Sequence, residues 1–158
     1  MGSWTAQYSA EVPGKRAADA AAAQPYLKQL AAEGASLRAH SAITHPSQPN
    51  YVALVAGDLL GVTDNDRHVI DARHLGDLVE AKGLDWHVYA EGFPGDCSQV
   101  ATRGEYARRH VPFLSFRDVA DDPRRCAKIT DAAGFSADAL GGHLAAFSLY
   151  VPDNSNNG

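Results

Sequence analysis

A serine between two prolines is the first residue of this sequence with an evident chemical use. Residues 41–58 read SAITHPSQPNYVALVAGD, in which Ser47 stands between Pro46 and Pro49. The pattern predicts a strand followed by a helix, with Ser47 as the N-cap. A helix N-terminus favours a bound phosphate, and the amide of Asn50 could donate to a phosphoryl oxygen. Ser47 is therefore a candidate nucleophile that needs a base or a metal ion for activation, and the alternative is a plain helix cap.

Other polar residues could bind a metal ion or an anion. The acidic loop at 64–66 and the tail at 153–157 carry carboxylate and amide oxygens, which hard divalent cations prefer as ligands. Such loops also occur simply as turns. His110 closes the basic segment RGEYARRH, where a favourable interaction with a helix dipole is the simpler explanation. No G-x-S-x-G, Walker A or G-x-G-x-x-G motif occurs, which argues against an α/β-hydrolase and against those nucleotide sites.

The elements that must position these residues alternate along the chain. Helices are predicted at 25–34, 48–56, 75–82 and 103–110, after Asp122-Pro123 and after a Ser136 cap, and strands at 37–43, 85–91, 113–116 and 145–151. This alternation predicts an α/β fold with a mainly parallel sheet flanked by helices. Residues 1–24 are predicted to be an irregular segment that precedes one domain at 25–158. Ligands bind at the carboxyl ends of parallel strands, so the tail should lie at the same edge as Ser47.

Composition excludes some classes of function and leaves the state of the cysteines open. The chain has 158 residues and a formal net charge of −5, which argues against a nucleic-acid partner because such proteins usually carry a basic face. No apolar run approaches the length of a membrane span. Cys97 and Cys126 both lie in polar, turn-rich segments, so one disulfide in an oxidising compartment and two free thiols are equal alternatives.

Four stretches in order carry a resemblance to a known family. The segment THPSQPNYVALVAGDLLGVTDN resembles the nucleophile segment of the phosphoesterase family of bacterial acid phosphatases and phospholipase-C-like enzymes, within the alkaline phosphatase superfamily. Residues 24–35, YARRHVPFLSF at 106–116 and FSLYVPDNSNNG at 147–158 agree as well. Within the family, the sequence most resembles secreted actinobacterial acid phosphatases that act as phosphatidylinositol-3-phosphatases.

The resemblance implies a reaction and a set of site residues. It implies metal-dependent hydrolysis of phosphate monoesters, rather than phospholipase C activity, through a phosphoseryl intermediate on Ser47. A divalent metal ion would be the cofactor, with Asp153 and Asn157 among its ligands. Asn50 and His110 would bind the phosphoryl group of the substrate, which could be a phosphoinositide or another small phosphomonoester.

The resemblance also implies a covalent link, a location and an incomplete chain. Cys97 and Cys126 would form a disulfide in a secreted or cell-envelope protein. Family members carry an acidic-Asn metal motif before the first matching segment and a His-Asp pair after the position of Gly158, and this sequence has neither. We therefore expect a fragment truncated at both ends and inactive alone. The alternative is a non-catalytic remnant or a phosphate-binding module of the same fold.

Overall fold

The computed structural model describes residues 25–35, 37, 39–97 and 101–156, which fall into two compact units, Met1–His45 and Pro46–Gly158. The first unit contains helix α1 (Pro25–Glu33), which begins at a proline as predicted. None of the α1 residues is buried. The predicted irregular segment at 1–24 lies outside the described residues, so the domain boundary at residue 25 stays a prediction.

The second unit is an α/β arrangement around a parallel sheet, which confirms the predicted fold class. Its helices are α2 (Ser47–Ala56), α3 (Leu75–Glu80), α4 (Arg117–Ala120), α5 (Pro123–Cys126) and α6 (Ala132–Gly141), with 3₁₀ helices η1 (Arg108–His110) and η2 (Pro112–Ser115). Its strands are β1 (Trp86–Ala90), β2 (Thr102–Arg103), β3 (Tyr106–Ala107), β4 (Ile129–Thr130) and β5 (Phe147–Val151). Strands β4, β1 and β5 form a parallel sheet in that order, and β2 pairs with β3 antiparallel. No helix in the described part of the chain combines the length and apolar character that crossing a membrane requires.

An aromatic core joins the sheet to the elements that carry the candidate site. The Trp86 ring of β1 stacks on Phe113 of η2 at a centroid distance of 4.5 Å, and Phe113 also meets Phe147 of β5 edge-on. Val52 and Val55 of α2 are buried in the same core, and α2 packs against both η1 and η2. Burial of each such side chain contributes roughly 1.5–3 kcal/mol, so hydrophobic packing fixes α2 against η1 and η2.

The strand predicted at 37–43 is wrong for the residues that can be compared. Residues 39–46 form a turn, a bend and irregular chain without a strand, and Leu37 and Ile43 are 75% and 68% exposed. A strand depends on hydrogen bonds to a neighbouring strand and on burial of one face, and this short segment has neither in the described chain. The expectation that Ser47 follows the carboxyl end of a strand is therefore wrong as well.

The helix predicted at 103–110 is also wrong, because the segment turns back on itself. Arg103 and Tyr106 face each other across a tight hairpin, and Gly104 takes a positive φ of 57° in the turn between them. A positive φ is the conformation that glycine tolerates best, and it breaks a helix. Within the segment predicted as a helix, only Arg108–His110 is helical, as a single 3₁₀ turn.

The predicted strand at 113–116 and the predicted Ser136 cap are wrong, and the predicted Asp122 cap is confirmed. The predicted strand at 113–116 is the 3₁₀ helix η2, which begins at Pro112. Helix α6 is capped by Asp131, whose carboxylate accepts hydrogen bonds from the two backbone amides at 133 and 134, whereas Ser136 donates to a carbonyl within the helix. The predicted cap of α5 is confirmed, because the Asp122 carboxylate accepts from the Arg124 backbone N–H at 2.8 Å.

Cys97 and Cys126 form the disulfide, which decides between the two alternatives left open by the sequence. Their Cα atoms are 5.8 Å apart, within the range that a disulfide requires. The bond joins the chain ahead of the β2–β3 hairpin to helix α5 and closes a loop of 29 positions. It therefore restrains the segment that leads to η1.

Removal of this disulfide should lower the free energy of unfolding by about 3–4 kcal/mol, because the closed loop restricts the unfolded chain. Urea denaturation of the Cys97→Ser/Cys126→Ser variant, compared with the oxidised protein, measures the loss. The variant should not respond to dithiothreitol, whereas the oxidised protein should fall to the stability of the variant. A difference below about 1 kcal/mol would contradict the predicted contribution.

Candidate functional site

Ser47 is the first helical residue of α2 and not its cap. Pro46 occupies the N-cap position with an extended backbone (φ −80°, ψ −154°). The Ser47 residue is 1% exposed, so it lies in the packed start of the helix. The interpretation of Ser47 as a plain N-cap is therefore wrong, since a residue at this position cannot cap its own helix.

The two prolines leave the start of α2 with few backbone donors. A helix N-terminus normally presents four N–H groups without helical acceptors, but Pro46 at the N-cap and Pro49 at the third helical position have no N–H. The Gln48 N–H donates to the side-chain oxygen of Asn65 at 3.0 Å. The donor set for an anion is thus smaller than the sequence predicted, and a phosphate bound here would depend mainly on side chains.

Asn50 lies one turn after Pro46 and holds the backbone there. Its Nδ2 atom donates to the Pro46 carbonyl at 2.9 Å, with the Ser47 carbonyl at 3.5 Å. The amide is therefore near the candidate nucleophile, but it would have to redirect a hydrogen to contact a phosphoryl oxygen. The role predicted for Asn50 in substrate binding stays a prediction.

His110 is brought to the same helix by a ring contact. Its imidazole stacks on Tyr51 of α2 at a centroid distance of 5.2 Å, and Tyr51 lies one turn after Ser47. His110 is 1% exposed, and its Nε2 atom has no hydrogen-bond partner among the described residues. Burial, assisted by the positive charge of Arg109, lowers the pKa of His110 to about 4. The imidazole is therefore neutral at mildly acidic and neutral pH.

Arg109 is a candidate site residue that the sequence analysis did not identify. Its charge acts on both rings: it lowers the pKa of His110 and opposes the rise that burial causes in the pKa of Tyr51. The Arg109 Nε atom is buried without a hydrogen-bond partner in the described part of the chain. An unsatisfied buried donor is costly, and an anion is the natural acceptor for it. The neighbouring Arg108 also buries an Nε atom without a partner in the described part of the chain, and its Nη2 atom donates to the Leu114 carbonyl, which ties η1 to η2.

The tail is anchored at the carboxyl end of the sheet by Glu91, which the sequence analysis also missed. The Glu91 carboxylate follows β1 and accepts hydrogen bonds from the Tyr150 hydroxyl, the Asp153 backbone N–H and the Asn156 amide, at 2.6, 2.9 and 2.9 Å. The amide of residue 154 donates to the Glu105 carbonyl in the hairpin turn. The tail is thereby joined to the hairpin that leads to His110, although its closeness to Ser47 stays a prediction.

The predicted metal ligands can be compared with the structure only in part. Asn157 lies outside the described residues. The Oδ1 atom of Asp153 accepts from the Ser155 backbone N–H and is 3.3 Å from the Asn156 amide nitrogen. No group of three or more histidine, cysteine or carboxylate side chains gathers around Asp153 in the described chain. Those residues do not form a complete metal centre beside α2.

One group elsewhere has the spacing of a metal site but is already neutralised. Ligand atoms of His74, Asp77 and Asp118 lie within 4.8 Å of one another. The Arg125 guanidinium pairs with both of these carboxylates and with Glu80. The His74 ring accepts from a backbone N–H through Nδ1, and its Nε2 faces the Asp118 carboxylate at 3.3 Å. A guanidinium among these carboxylates opposes a divalent cation, so the group fits an ion-pair network better than a metal site.

Replacement of Glu91 by glutamine should destabilise the protein at neutral pH but not in acid. The Tyr150 hydroxyl, together with the amides of Asp153 and Asn156, lowers the pKa of Glu91 below its ordinary 4.5. Stability from the ionised carboxylate is therefore present above pH 4.5 and is lost as the pH falls through the lower folded value. Glu91→Gln should cost about 1–2 kcal/mol at pH 7, measured by urea denaturation.

The matched control is Glu105→Gln, since the Glu105 side chain is exposed and only its backbone carbonyl contacts the tail. This variant should match the wild type at both pH values. An equal loss of stability for Glu91→Gln at pH 7 and at pH 3 would contradict the assigned role of the Glu91 charge.

Comparisons with known proteins find relatives that are named phosphatases. The chain is 33% identical over 150 residues to a probable acid phosphatase of Kluyveromyces lactis, and the aligned region covers 89% of the chain and 35% of the relative. It is 40% identical over 97 residues to a phosphatidylinositol-3-phosphatase of Mycobacterium tuberculosis, covering 60% of the chain and 32% of the relative. An acid phosphatase of Aspergillus niger is 32% identical, covering 89% of the chain and 36% of the relative.

These coverages mean that the chain spans about a third of the length of the curated relatives it matches. The sequence profile of one family matches residues 17–158, which include α2, η1 and the tail. On that match, the chain belongs to the Phosphoesterase family.

Proposed function

We propose that this chain carries the nucleophile of a phosphoric ester hydrolase of the acid phosphatase type, with Ser47 as the attacking residue. The main support is the position of Ser47 at the start of α2, one turn from Tyr51, on which His110 stacks. Arg109 and His110 each bury an unpartnered nitrogen in η1, as expected of a region that receives an anion. Because the chain spans about a third of the length of its relatives, the activity of the whole protein is part of this proposal.

The proposed reaction uses two displacements at phosphorus. The Ser47 Oγ loses its proton and attacks phosphorus, the bond from phosphorus to the ester oxygen breaks, and that oxygen takes up a proton as the alcohol leaves. Water then attacks the phosphoserine, the Oγ–phosphorus bond breaks, a proton from the water returns to Oγ, and inorganic phosphate is released. The Arg109 charge would stabilise the negative charge that develops on the phosphoryl oxygens. Neutral His110 and the Asn50 amide would contribute hydrogen bonds to those oxygens.

A divalent metal ion is a separate part of the proposal. Such an ion would lower the pKa of the Ser47 hydroxyl and neutralise phosphate charge. The family resemblance supports it, with Asp153 and Asn157 as proposed ligands. The described residues do not supply a complete ligand set, so the requirement for the ion is tested separately from the identity of the nucleophile.

The substrate and location can be proposed only by class. The relative from M. tuberculosis is named a phosphatidylinositol-3-phosphatase, so a phosphoinositide head group is a suitable test substrate beside simple phosphomonoesters. The disulfide between Cys97 and Cys126 supports an oxidising compartment, as for a secreted or cell-envelope protein.

Ser47→Ala should reduce hydrolysis of p-nitrophenyl phosphate by the full-length protein at least about 10³-fold, because no other group replaces the nucleophile. Acid quench and peptide mass spectrometry should find phosphate on Ser47 in the wild type. Ser136→Ala is the matched control, since Ser136 is exposed on α6 and bonds only within its helix. Hydrolysis unaffected by Ser47→Ala would overturn the proposal. Phosphate binding without turnover or adduct would support the non-catalytic alternative instead.

Chelation tests the metal proposal independently. Exhaustive dialysis against EDTA should abolish hydrolysis, and readdition of divalent cations one at a time should restore it and identify the ion. Activity that survives chelation, while still requiring Ser47, would overturn the metal proposal and leave the nucleophile in place.

A further inference from the structure

The start of α2 is capped from outside the helix. An N-cap side chain usually accepts the hydrogen bond from the second or third helical N–H, but Pro46 has no acceptor in its side chain. Asn65 supplies one instead, since its Oδ1 atom accepts from the Gln48 N–H at 3.0 Å across 17 positions of sequence. The oxygen assignment is unambiguous because the partner is a donor.

The loop that carries Asn65 is itself held in place. The Asp64 carboxylate accepts from the Asp66 backbone N–H at 2.9 Å and lies 2.7 Å from Nε2 of His68. Ahead of the loop, Val62 is 2% exposed and belongs to the hydrophobic core. The acceptor oxygen of Asn65 therefore projects from a loop that is fixed on both sides.

Gln48 is fixed through its side chain as well. The residue is 1% exposed, and its Nε2 atom donates to the Ser115 hydroxyl of η2 at 3.4 Å. The peptide unit that joins Ser47 to Gln48 is thus restrained by Asn65 through its N–H and by η2 through the Gln48 side chain. Because that peptide unit adjoins the Cα atom of Ser47, the Asn65 contact restrains the backbone from which the serine side chain projects.

The choice of asparagine carries information about charge. Aspartate caps a helix as well as asparagine does, and its charge favours the positive end of the helix dipole. Asn65 is nevertheless neutral between Asp64 and Asp66. A carboxylate hydrogen-bonded to the second N–H of α2 would repel a phosphate dianion bound near Ser47. The amide provides the same acceptor oxygen without that charge.

We propose that Asn65 is the positioning residue for Ser47, fixing the start of α2 through the Gln48 N–H while keeping negative charge away from a bound phosphate. The inference rests on the proposed function and goes beyond it by naming a residue that does not touch the substrate. It separates two roles of one side chain: the acceptor oxygen orients the serine, and the neutral amide permits an anion to bind.

Two substitutions of Asn65 separate these roles in the full-length protein, with p-nitrophenyl phosphate as substrate. Asn65→Ala removes the acceptor and should lower kcat about 10- to 100-fold, because a small displacement of the nucleophile is costly. Asn65→Asp keeps the acceptor and should leave the melting temperature unchanged or raised. It should raise KM about tenfold at low salt, and the increase should shrink at 0.5 M salt because the repulsion is screened. Asp66→Asn is the control from the same loop and should leave KM and kcat within about twofold.

The outcomes distinguish this inference from the proposed function. If the wild type hydrolyses the substrate through Ser47 but Asn65→Asp has normal KM at low salt, the charge role is overturned. If Asn65→Ala lowers only the melting temperature and keeps the wild-type kcat, Asn65 is merely structural and the positioning role is overturned. If Asn65→Ala does not fold, the salt dependence of KM in Asn65→Asp decides. A wild type without turnover overturns the proposed function and this inference with it.

Discussion

The two prolines around Ser47 impose the constraint on which the rest of the site depends. They stiffen the start of α2, but they also remove two backbone donors from a helix end that would otherwise bind an anion well. What the helix end lacks must come from other parts of the fold. A loop supplies the cap through Asn65, and η1 contains buried unpartnered nitrogens of Arg109 and His110 that the proposed phosphate would contact. The position of the serine therefore depends on how these elements pack against α2.

Electrostatics at η1 favour an anion over a cation. Arg109 carries a positive charge, and burial lowers the pKa of His110 to about 4, so the imidazole is neutral above that pH. A neutral imidazole can donate or accept a hydrogen bond without adding to the charge that Arg109 already brings. The opposite arrangement occurs at α3, where Arg125 pairs with Asp77, Glu80 and Asp118 and satisfies the carboxylates from within the protein. The unsatisfied buried nitrogens at η1 support the proposed anion site, and the paired charges at α3 are those of an ion-pair network.

The sequence predicted the elements whose signals are local. Helix α2 is terminated by Gly57, whose φ is 73°, and α5 begins with the Asp122 cap and Pro123. Strands β1 and β5 lie near their predicted positions. The failures at 37–43 and at the β2–β3 hairpin concern strands, which depend on a partner distant in sequence. The same reason hid part of the site. Asn65 and Glu91 act through contacts across 17 and up to 65 positions, and in the sequence Arg109 is only one residue of the basic segment RGEYARRH.

Long-range ties also determine where His110 lies, since η1 is a single turn with little stability of its own. The disulfide restrains the chain ahead of the hairpin, and the hydrogen bond from residue 154 to Glu105 restrains the hairpin turn. Between them, Tyr106 packs edge-on against Phe93, and Arg108 ties η1 to η2. Loss of one tie would loosen the hairpin while leaving the aromatic core around Trp86 intact. The proposed anion-binding side of the site, at η1, should therefore be more sensitive to reduction and to the state of the tail than the helix that carries Ser47.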